Sequence, residues 1–505
     1  METCGVPTLT CVLLLLFTGA LYASAETDDE RDQGSLMDEP LLRVVRSAQR
    51  AISGNSWIGA TDSARQGRIA DSGGDGMGSR GRPGSRRRDR DRGRGGRNRG
   101  RGRGNARRIP NGPPTRLDRR TMGLVYRLSN ASTPFALSLF AKLHPQLMTN
   151  AVFSPLSVHT AMTMTSIGAR GRTQREMFRS LGLRRARLRR RREHRAYHAL
   201  LTSLSYTHRD VHVSSANAVF VKPNIPLEDA FRQQVQQMYL AKFDTFSLRN
   251  PEQAINNWVA NATGGKIRDL IAPGSIGRST SMVLVNAIYL NASWAYPFDR
   301  RRTSLQEFQP ANSAPRNMQM MSNTQVYRYA SRQNMEVVEL PYKGDRLAMY
   351  IMLPHNSSSI AELMEFVTGS EDPGQNPLEV LLSDLTPESV KVVLPKFNIE
   401  SEVLDLSQDL QEMGIVKAFN RRRANFSGIS VTPLYIDKVV HKAVIEVTES
   451  GTTASAATAV YLARNSFLRH TTEVKVNRPF MFLIKDKLMN AVLFMGAFLG
   501  EESQG

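Results

Sequence analysis

The sequence predicts an α+β domain of about 380 residues that is built around a large β-sheet. Two observations favour this class. Helix-like apolar periodicity dominates the first half of the chain after residue 120, and strand-like apolar runs dominate the second half. The chain has 505 residues, of which 41% are hydrophobic, so it can bury an extensive core, and the sequence contains no internal repeat.

Residues 1–25 are typical of a secretory signal peptide. Residues 12–17 read VLLLLF, and Ala23-Ser24-Ala25 forms a cleavage site of the A-x-A type, so we expect the mature chain to start at Glu26. The apolar run is too short to span a membrane. We therefore expect a secreted, extracellular protein with no membrane partner.

Cysteine content and sequons agree with this expectation. The cysteines of the sequence are Cys4 and Cys11, both inside the predicted signal, so the mature chain would contain no disulfide, cysteine nucleophile or cysteine-ligated zinc. A secreted chain without disulfides depends on a large core. Five N-x-S/T sequons are candidate glycosylation sites, of which we expect roughly half to be used. They are Asn130, Asn261, Asn291, Asn356 and Asn425.

Residues 26–120 form an Arg/Gly-rich extension that we predict to be disordered. Residues 79–108 carry 14 arginines against Asp89 and Asp91. A segment so charged and so poor in apolar residues cannot bury enough surface to offset its chain entropy. The sequence does not decide whether this extension is retained or removed at dibasic sites.

The folded domain is predicted to span residues 121–505 and to begin with a helix. The segment STPFALSLFAKLHPQL, residues 132–147, offers a cap at Ser132 or Thr133, a proline in the first turn and Pro145 as the stop signal. Its apolar residues recur at i, i+4 and i+8 as Phe135, Leu139 and Leu143.

The second half contains apolar runs of strand length. Each is rich in β-branched and other apolar residues, which favours buried strands of a large sheet. The runs are SMVLVNAIYL (281–290), RLAMYIMLP (346–354), VKVVLPKF (390–397) and AVLFMGAFL (491–499).

The sequence contains none of the catalytic motifs that were sought. It has no G-x-S-x-G, no H-E-x-x-H and no phosphate-binding G-x-x-x-x-G-K. His194 and His198 are spaced i, i+4 but stand among arginines that would repel a cation, so we expect solvated surface there and no metal site. No carboxylate pair forms a recognisable acid/base constellation. We therefore predict a protein that is not an enzyme and needs no cofactor.

Seven separated segments are informative together. They are NAVFSPLSVHTAMTMTSIGARGRT (150–173), LVNAIYLNASWAYPFD (284–299), ELPYKGDRLAMYIMLP (339–354), LPKF (394–397), ANFSGIS (424–430), DKVVHKAVIEVTESGT (437–452) and VKVNRPFMFLIKDKLMNAVLFMGAF (474–498). In this order they resemble the serpin family, and the resemblance covers nearly all of residues 121–500. The resemblance implies a fold of three sheets and about nine helices, with an exposed reactive loop between Glu449 and about Thr472. It points to a secreted inhibitor of serine proteases similar to the heparin-binding antithrombin and heparin cofactor group.

The resemblance also implies which residues govern opening of the main sheet. Ser154, Ser157, Asn286 and His441 match the family's polar cluster under the centre of that sheet. Trp294 matches the position at the top of the sheet, where the loop starts to insert.

In inhibitory serpins the loop is cut by a protease and then inserts into the main sheet as a new strand, and this sequence suits that role. The hinge positions implied by the resemblance are Glu449, Gly451, Thr452, Thr453, Ala454, Ser455, Ala456, Ala457 and Thr458. Side chains alternate along a strand, so the even-numbered residues from Thr452 to Leu462 share one face. They are small first and larger later, and no proline or charge occurs from residue 451 to 463. The family usually has Glu at the position of Thr453, which lies on the outward face.

The bait bond is narrowed to two candidates. Counting from the hinge as in the family gives Asn465–Ser466, but trypsin-like proteases prefer a basic residue before the cut. We therefore favour Arg464–Asn465 and keep Asn465–Ser466 as the alternative. The expected partner is a trypsin-like, thrombin-like serine protease that the sequence does not identify further.

The segment LRRARLRRRREHRAY, residues 183–197, predicts a polyanion site. If the segment is helical, Arg184, Arg187, Arg191 and Arg195 line one stripe, and repulsion between like charges at this spacing favours an anionic partner. Outside the cell we expect heparin or heparan sulfate as an activator, and no nucleic acid. The eight arginines are Arg184, Arg185, Arg187, Arg189, Arg190, Arg191, Arg192 and Arg195.

The alternative to a monomeric inhibitor is a non-inhibitory serpin. Such a protein would act as a carrier, a peptide precursor or a polyanion-binding matrix protein. The loop composition favours the inhibitor, because a simple flexible linker would lack the β-branched residues at 452, 453, 458 and 460.

Overall fold

The computed structural model describes residues 117–143, 149–188, 192–205, 210–246, 249–332, 334–355, 358–369, 376–452 and 471–500. Several predictions fall outside these ranges and stay predictions. They are the signal peptide, almost all of the Arg/Gly-rich extension, Arg189 to Arg191, Asn356, the hinge residues 453–458 and the bait residues Arg464, Asn465 and Ser466.

The described residues form nine α-helices, the number that the resemblance implies. In chain order they are α1 (Arg119–Leu143), α2 (Pro155–Ser166), α3 (Gly171–Ser180), α4 (Arg192–Leu204), α5 (Asp229–Tyr239), α6 (Pro251–Ala262), α7 (Ile360–Thr368), α8 (Pro377–Ser383) and α9 (Ser407–Glu412).

Helix α1 begins 13 residues before the predicted cap at Ser132, so that prediction was wrong. Asp118 forms the start, because its carboxylate accepts hydrogen bonds from the backbone N–H groups of Arg120 and Thr121 at 2.8 and 3.0 Å. Pro134 lies inside the helix instead of in its first turn. The hydroxyls of Ser132 and Thr133 donate to the carbonyl of Ser129, so these side chains are tied back onto the preceding turn.

The strands, in chain order, are β1 (Ala151–Phe153), β2 (Val211–Val221), β3 (Lys242–Thr245), β4 (Met282–Ser293), β5 (Ser304–Phe308), β6 (Arg316–Ser331), β7 (Met335–Pro341), β8 (Leu347–Pro354), β9 (Thr386–Pro395), β10 (Phe397–Glu400), β11 (Leu404–Asp405), β12 (Lys438–Thr448), β13 (Gly451–Thr452), β14 (Thr472–Lys475), β15 (Phe480–Asp486) and β16 (Ala491–Phe498). All four apolar runs from the sequence lie in or overlap these strands, so those predictions are confirmed.

One sheet of seven strands has the order β10-β12-β13-β4-β2-β3, with β11 added beside β12. We call it the main sheet. The other nine strands follow the order β1-β16-β15-β8-β7-β6-β9-β14, with β5 beside β6. Two of the three expected sheets are joined in this network, because the 16-residue β6 pairs with β9 along most of its length and with β7 at its end.

Helix α2 occupies the centre of the core, and all 12 of its residues are buried. It packs between α1, β16, and the strands β2 and β4 of the main sheet. A helix that is buried on every side has no polar face, which fits the apolar and small residues of PLSVHTAMTMTS. Among the described helices, none has the length and apolarity needed to cross a membrane.

Candidate functional site at the opening of the main sheet

The central strands β4 and β12 of the main sheet pair directly over only part of their length. Residues 438–444 of β12 run parallel to residues 283–289 of β4. Beyond that ladder the two strands separate, and the two-residue β13 fills the space between them. Thr452 pairs antiparallel with Val447 on one side and with Ala292 on the other.

Gly451 is required at this position by its backbone. Its φ angle of +148° lies in a region that L residues rarely adopt. A Cβ built on this glycine would lie 2.0 Å from the carbonyl oxygen of Ala292 and 2.6 Å from the Cα of Ser293. The close approach to β4 therefore depends on the absence of a side chain.

Glu449, next to the opening, is an ionised and largely buried carboxylate. Its side chain is 8% exposed and lies 3.2 Å from Lys396 Nζ, and it accepts a hydrogen bond from Thr303 Oγ1 at 3.0 Å. Burial alone would raise the pKa of Glu449, but the hydrogen bonds from its own backbone, Lys396 and Thr303 outweigh burial, so its pKa lies below the usual value. Its backbone carbonyl also accepts the N–H of Phe298 at 2.9 Å.

Trp294 fixes the turn that connects β12 to β13. Its backbone N–H donates to the carbonyl of Ser450 and its indole N–H donates to the carbonyl of Thr448, both at 3.0 Å. The indole stacks on Tyr342 with the ring centroids 4.6 Å apart and an interplanar angle of 8°. Trp294 therefore lies at the top of the sheet, where the resemblance puts it.

Thr452 is held by the same aromatic pair. Its hydroxyl is hydrogen-bonded to the hydroxyl of Tyr342 at 2.7 Å, and both residues are fully buried. The loop was expected to be exposed from Glu449 onward, but Glu449, Gly451 and Thr452 are buried. The reason is that the backbone groups of β13 have partners in both neighbouring strands.

A polar cluster crosses the paired part of the main sheet. Ser154 donates its N–H to His441 Nε2 at 3.0 Å and its hydroxyl to the carbonyl of Leu493 at 2.6 Å. His441 contacts the side-chain oxygen of Asn286, which lies directly opposite on β4. Asn286 in turn donates to the side chain of Asn217 on β2. The chain of hydrogen bonds thus links α2 to three adjacent strands.

The hydrogen bonds fix the protonation of His441. Because the backbone N–H of Ser154 can only donate, Nε2 accepts, and Nδ1 carries the proton that is donated to Asn286. The imidazole is therefore neutral. Complete burial lowers the pKa of His441 to about 3, since the charged form would lose its hydration.

Ser157, the remaining predicted member of the cluster, contributes its backbone N–H to the cap at the start of α2. Ser154 is the N-cap of this helix, and its hydroxyl accepts the backbone N–H of Ser157 at 3.3 Å.

Two residues of the site, Asn217 and Tyr342, were not predicted from the sequence. An asparagine inside the strand-like run VHVSSANAVFV was a signal for Asn217, because buried strands seldom contain an unpaired amide.

The predicted arginine stripe does not exist as one helical face. Arg184, Arg185 and Arg187 lie on turns between α3 and α4, and Arg187 has a left-handed backbone with φ of 56°. Arg192 and Arg195 are exposed on the first turn of α4. Gly182 follows the end of α3 and has a φ of +65°. The helix therefore stops before Arg184 and Arg187, whereas the predicted stripe requires both residues to be helical.

The turn arginines instead border a groove of about 1230 Å³ against α1. We call it the α1 groove. Its basic side chains come from α1, from the end of α3 and from the turns that follow α3. They are Arg127, Lys142, Arg179, Arg184, Arg185 and Arg187.

The two histidines of the i, i+4 pair differ in environment. His198 is exposed as predicted, but His194 is buried and its Nδ1 lies 2.7 Å from the hydroxyl of Tyr239. The prediction of solvated surface was therefore wrong for His194. Within the described residues no cluster of three or more His, Cys, Asp or Glu is arranged to hold a metal.

The sequons differ in accessibility. Asn130, Asn261 and Asn425 are exposed, and Asn291 is half-buried on β4. Asn425 also accepts the backbone N–H of Ser427 at 3.2 Å. Exposure is necessary for glycosylation, so among the four sequons that the structure describes Asn130, Asn261 and Asn425 are the accessible candidates.

The family model described as Serpin (serine protease inhibitor) matches residues 130–500. The chain belongs to the serpin family. Serpin B6 of Pongo abelii is 32% identical over 381 residues, which cover 74% of this chain and 98% of that protein. Serpins are in general serine protease inhibitors and not enzymes.

Solved serpin structures have the same fold. Human thyroxine-binding globulin complexed with thyroxine superposes with a TM-score of 0.67 at 26% identity, covering 75% of this chain and 100% of that chain. Native protease nexin-1 with heparin has a TM-score of 0.65 at 27% identity, with the same two coverages. The serpin fold of the described domain, with its helices and mixed sheets, is thereby confirmed.

Proposed function

We propose that this serpin is a secreted, suicide-type inhibitor of a trypsin-like serine protease. The observation that carries the proposal is β13, because the residues immediately before the bait segment already lie between β4 and β12. A strand that starts inside a sheet can extend by adding residues at its free end. Inhibition then requires that the chain after Thr452 follow it into the sheet.

The register of β13 determines which residues would pair if this strand were extended. Continuing both antiparallel ladders by one residue per step would set Val460 opposite Leu284 on β4 and opposite Val439 on β12. The new strand would replace the direct pairing of residues 438–444 with residues 283–289. One ladder would be lost and two gained, so insertion increases the number of strand–strand hydrogen bonds.

The chemistry at the bait bond belongs to the target protease. Its serine attacks the carbonyl carbon of the residue before the cut, forms an acyl-enzyme and releases a new amino terminus. Insertion of the segment after Thr452 would carry the acylated protease away before water completes the reaction. The proposed bait bond is Arg464–Asn465, with Asn465–Ser466 as the alternative.

The proposal is tested by incubating the protein with trypsin or thrombin and examining the products on a denaturing gel. We expect a covalent complex, and a released carboxy-terminal peptide that mass spectrometry finds to begin at Asn465. A peptide that begins at Ser466 would change the bond but keep the mechanism. Complete cleavage without complex would instead favour a non-inhibitory carrier or peptide precursor.

A matched pair of variants tests insertion itself. Alternation from Thr452 puts residue 456 on the inward face and residue 457 on the outward face. Ala456→Asp would introduce a carboxylate into the sheet interior, so we expect a substrate that is cleaved without trapping the protease. Ala457→Asp adds the same charge one residue away and should still form complex. Equal trapping by both variants would contradict insertion in this register.

Sulfated glycosaminoglycan is the proposed activator. The basic α1 groove supports this, as does the likeness to protease nexin-1, whose structure is described with heparin. Secretion and glycosylation remain part of the proposal on the strength of the predicted signal and the exposed sequons. The carrier alternative draws on thyroxine-binding globulin, a serpin whose structure is described as complexed with thyroxine. It predicts no protease complex.

A further inference from the structure

A second basic cavity, of about 1040 Å³, lies between α3, α4 and α5. We call it the α3 cavity. It has the size of a small-molecule site. Five arginines line it, and they are Arg170, Arg172, Arg175, Arg179 and Arg184.

The arginines are not neutralised by the protein around them. Within the described residues, no hydrogen-bond or ion-pair partner is found for the guanidinium groups of Arg172, Arg175, Arg179 and Arg184. Arg170 is different, because its Nη1 donates to the carbonyls of Ile167 and Ala169 at 2.7 and 2.9 Å. One guanidinium is thus fixed at the cavity, and four are available to a ligand.

Two carboxylates, Glu176 and Glu193, also line the cavity, against its five arginines. Glu176 lies 2.6 Å from Lys417 Nζ and also accepts the backbone N–H of Lys417 at 2.7 Å. Glu193 has a side chain that is 4% exposed and lies 3.4 Å from His194 Nε2. The charge that faces solvent in the α3 cavity is therefore strongly positive.

Helix α3 concentrates this charge. Arg172, Arg175 and Arg179 follow one another at i, i+3 and i+7, which puts them on one face of the helix. The opposite face is anchored by Thr173 and Met177, which are buried. Like charges at this spacing repel, so the helix is destabilised unless an anion lies among them.

The wall of the cavity combines this charge with apolar surface. Ile167, Phe178, Ala230 and Phe231 supply apolar atoms, and Gln174 and Gln234 supply amide groups. We propose that the α3 cavity binds a small organic molecule that carries several phosphate or sulfate esters. Guanidinium groups bind such esters through paired hydrogen bonds, and a fixed apolar wall accommodates the carbon skeleton.

This site adjoins the α1 groove and shares Arg179 and Arg184 with it, but each site also has arginines of its own. Arg172 and Arg175 line only the α3 cavity, and Arg185 and Arg187 line only the α1 groove. The proposal does not depend on protease inhibition, since it rests on the arginines and the cavity alone. The two anion sites can therefore be tested by different substitutions.

The test measures the melting temperature of the full chain with inositol hexakisphosphate and with sucrose octasulfate. A ligand raises the melting temperature only when it binds the folded chain more tightly than the unfolded chain, so association with the Arg/Gly-rich extension in both states cancels. We compare the wild type with R172Q/R175Q, R185Q/R187Q and R300Q/R301Q. Arg300 and Arg301 are exposed and far from both sites in the sequence, and they form the charge-matched control.

We expect at least one of the two compounds to stabilise the wild type and both control variants. In R172Q/R175Q the dissociation constant should rise by about tenfold or more, because two charged hydrogen-bond donors are lost. The compound that stabilises the protein shows whether the α3 cavity prefers phosphate esters or sulfate esters. No stabilisation by either compound, or full stabilisation of R172Q/R175Q, would overturn the proposal. Loss of stabilisation in R185Q/R187Q alone would assign the anion to the α1 groove and overturn it as well.

Chemical modification gives a second measurement that needs no variant. Phenylglyoxal reacts with accessible guanidinium groups, and mass spectrometry reports each arginine separately. The bound ester should slow modification of Arg172 and Arg175 several-fold while Arg300 and Arg301 react at an unchanged rate. Equal protection of all four arginines would indicate diffuse screening and contradict a defined site.

Discussion

A single side-chain hydrogen bond, between the hydroxyls of Tyr342 and Thr452, helps to hold the hinge in the main sheet. Both side chains are fully buried and their oxygens are 2.7 Å apart. Tyr342→Phe keeps the stacking on Trp294 but leaves the Thr452 hydroxyl without this partner. The cost of such a loss in a buried site is about 1–3 kcal/mol. We expect faster amide hydrogen exchange at Gly451 and Thr452.

The control for this prediction is Tyr329→Phe. Its hydroxyl also makes a side-chain hydrogen bond, to Glu336 at 2.8 Å, but on β6 and outside the sheet opening. Faster exchange in both variants would point to general loosening, and unchanged exchange in Tyr342→Phe would show that the strand pairing alone holds β13.

Two buried histidines make the free energy of unfolding of the domain depend on pH. Burial lowers the pKa of His441 to about 3 and that of His159 to about 4, from 6.5 in the unfolded chain. The unfolded chain therefore binds more protons below pH 6.5, and the free energy of unfolding falls as the pH falls. The expected slope for each histidine between pH 6 and 4.5 is about 1 kcal/mol per pH unit, and it cannot exceed about 1.4.

Urea unfolding at a series of pH values measures this slope. His441→Gln removes one titrating group, so the variant should have a lower stability at pH 7 but a shallower decline with acid than the wild type. The same decline in both proteins would mean that His441 is not the source.

The sequence, through its family resemblance, identified five of the seven residues described at this site. The five are Ser154, Ser157, Asn286, His441 and Trp294. Asn286 and His441 lie on paired strands of the main sheet, Trp294 follows the end of β4, and the two serines lie at the start of α2. Asn217 and Tyr342 were not identified, because their partners are 69 and 110 residues away and no local pattern joins them. Direct contacts across a sheet depend on register, which the sequence does not reveal by itself.

Among the secondary structure elements, β13 depends most on one residue. Gly451→Ala would push a methyl group against the backbone of β4, at a φ angle that alanine rarely adopts. We expect β13 to leave the sheet, so that a protease cuts the segment after Thr452 faster. The rate of cleavage at residues 453–470 by a broad-specificity protease measures this effect.

Gly277→Ala is the matched control. The nearest atom to a Cβ at Gly277 is Ser279 Oγ at 3.9 Å, which is ordinary contact, and its φ is not in the positive region. This variant should be cleaved at the wild-type rate. An unchanged rate in Gly451→Ala would mean that neighbouring segments hold the hinge without the glycine.

Element boundaries show where sequence patterns succeed and fail. The apolar runs of β4, β8 and β16 were predicted to within three residues, because a buried strand is a continuous block of apolar residues. The start of α1 was misjudged because a proline with Ser and Thr before it is the usual start signal. The stronger signal was Asp118, whose carboxylate caps the first turn.

At the scale of the whole molecule, the distribution of basic residues matters more than their number. The arginine tract was predicted as one helical stripe, but the fold divides it between two cavities and α4. Tertiary packing brings Arg127 and Lys142 of α1 beside Arg185 and Arg187. The sequence predicts the density of charge, but not which helix packs beside the tract.

This distribution predicts the behaviour of charge variants on immobilised heparin. R185Q/R187Q removes two charges from the α1 groove, so the protein should elute at a lower salt concentration than the wild type. R300Q/R301Q has the same net charge and should elute close to the wild type. Equal shifts for both variants would indicate that net charge, and not the α1 groove, governs retention.

The gap between β4 and β12 has a consequence for handling the purified protein. Seven residue pairs close the lower part of the main sheet, and only two residues occupy the upper part. Residues 453–462 of another molecule could part the seven lower pairs, enter below β13 and link two chains head to tail. Warm, concentrated stocks should then form ladders of oligomers on a native gel, at a rate that rises with concentration. A stock that stays monomeric under those conditions would show that β13 and the seven pairs below it exclude a strand from another molecule.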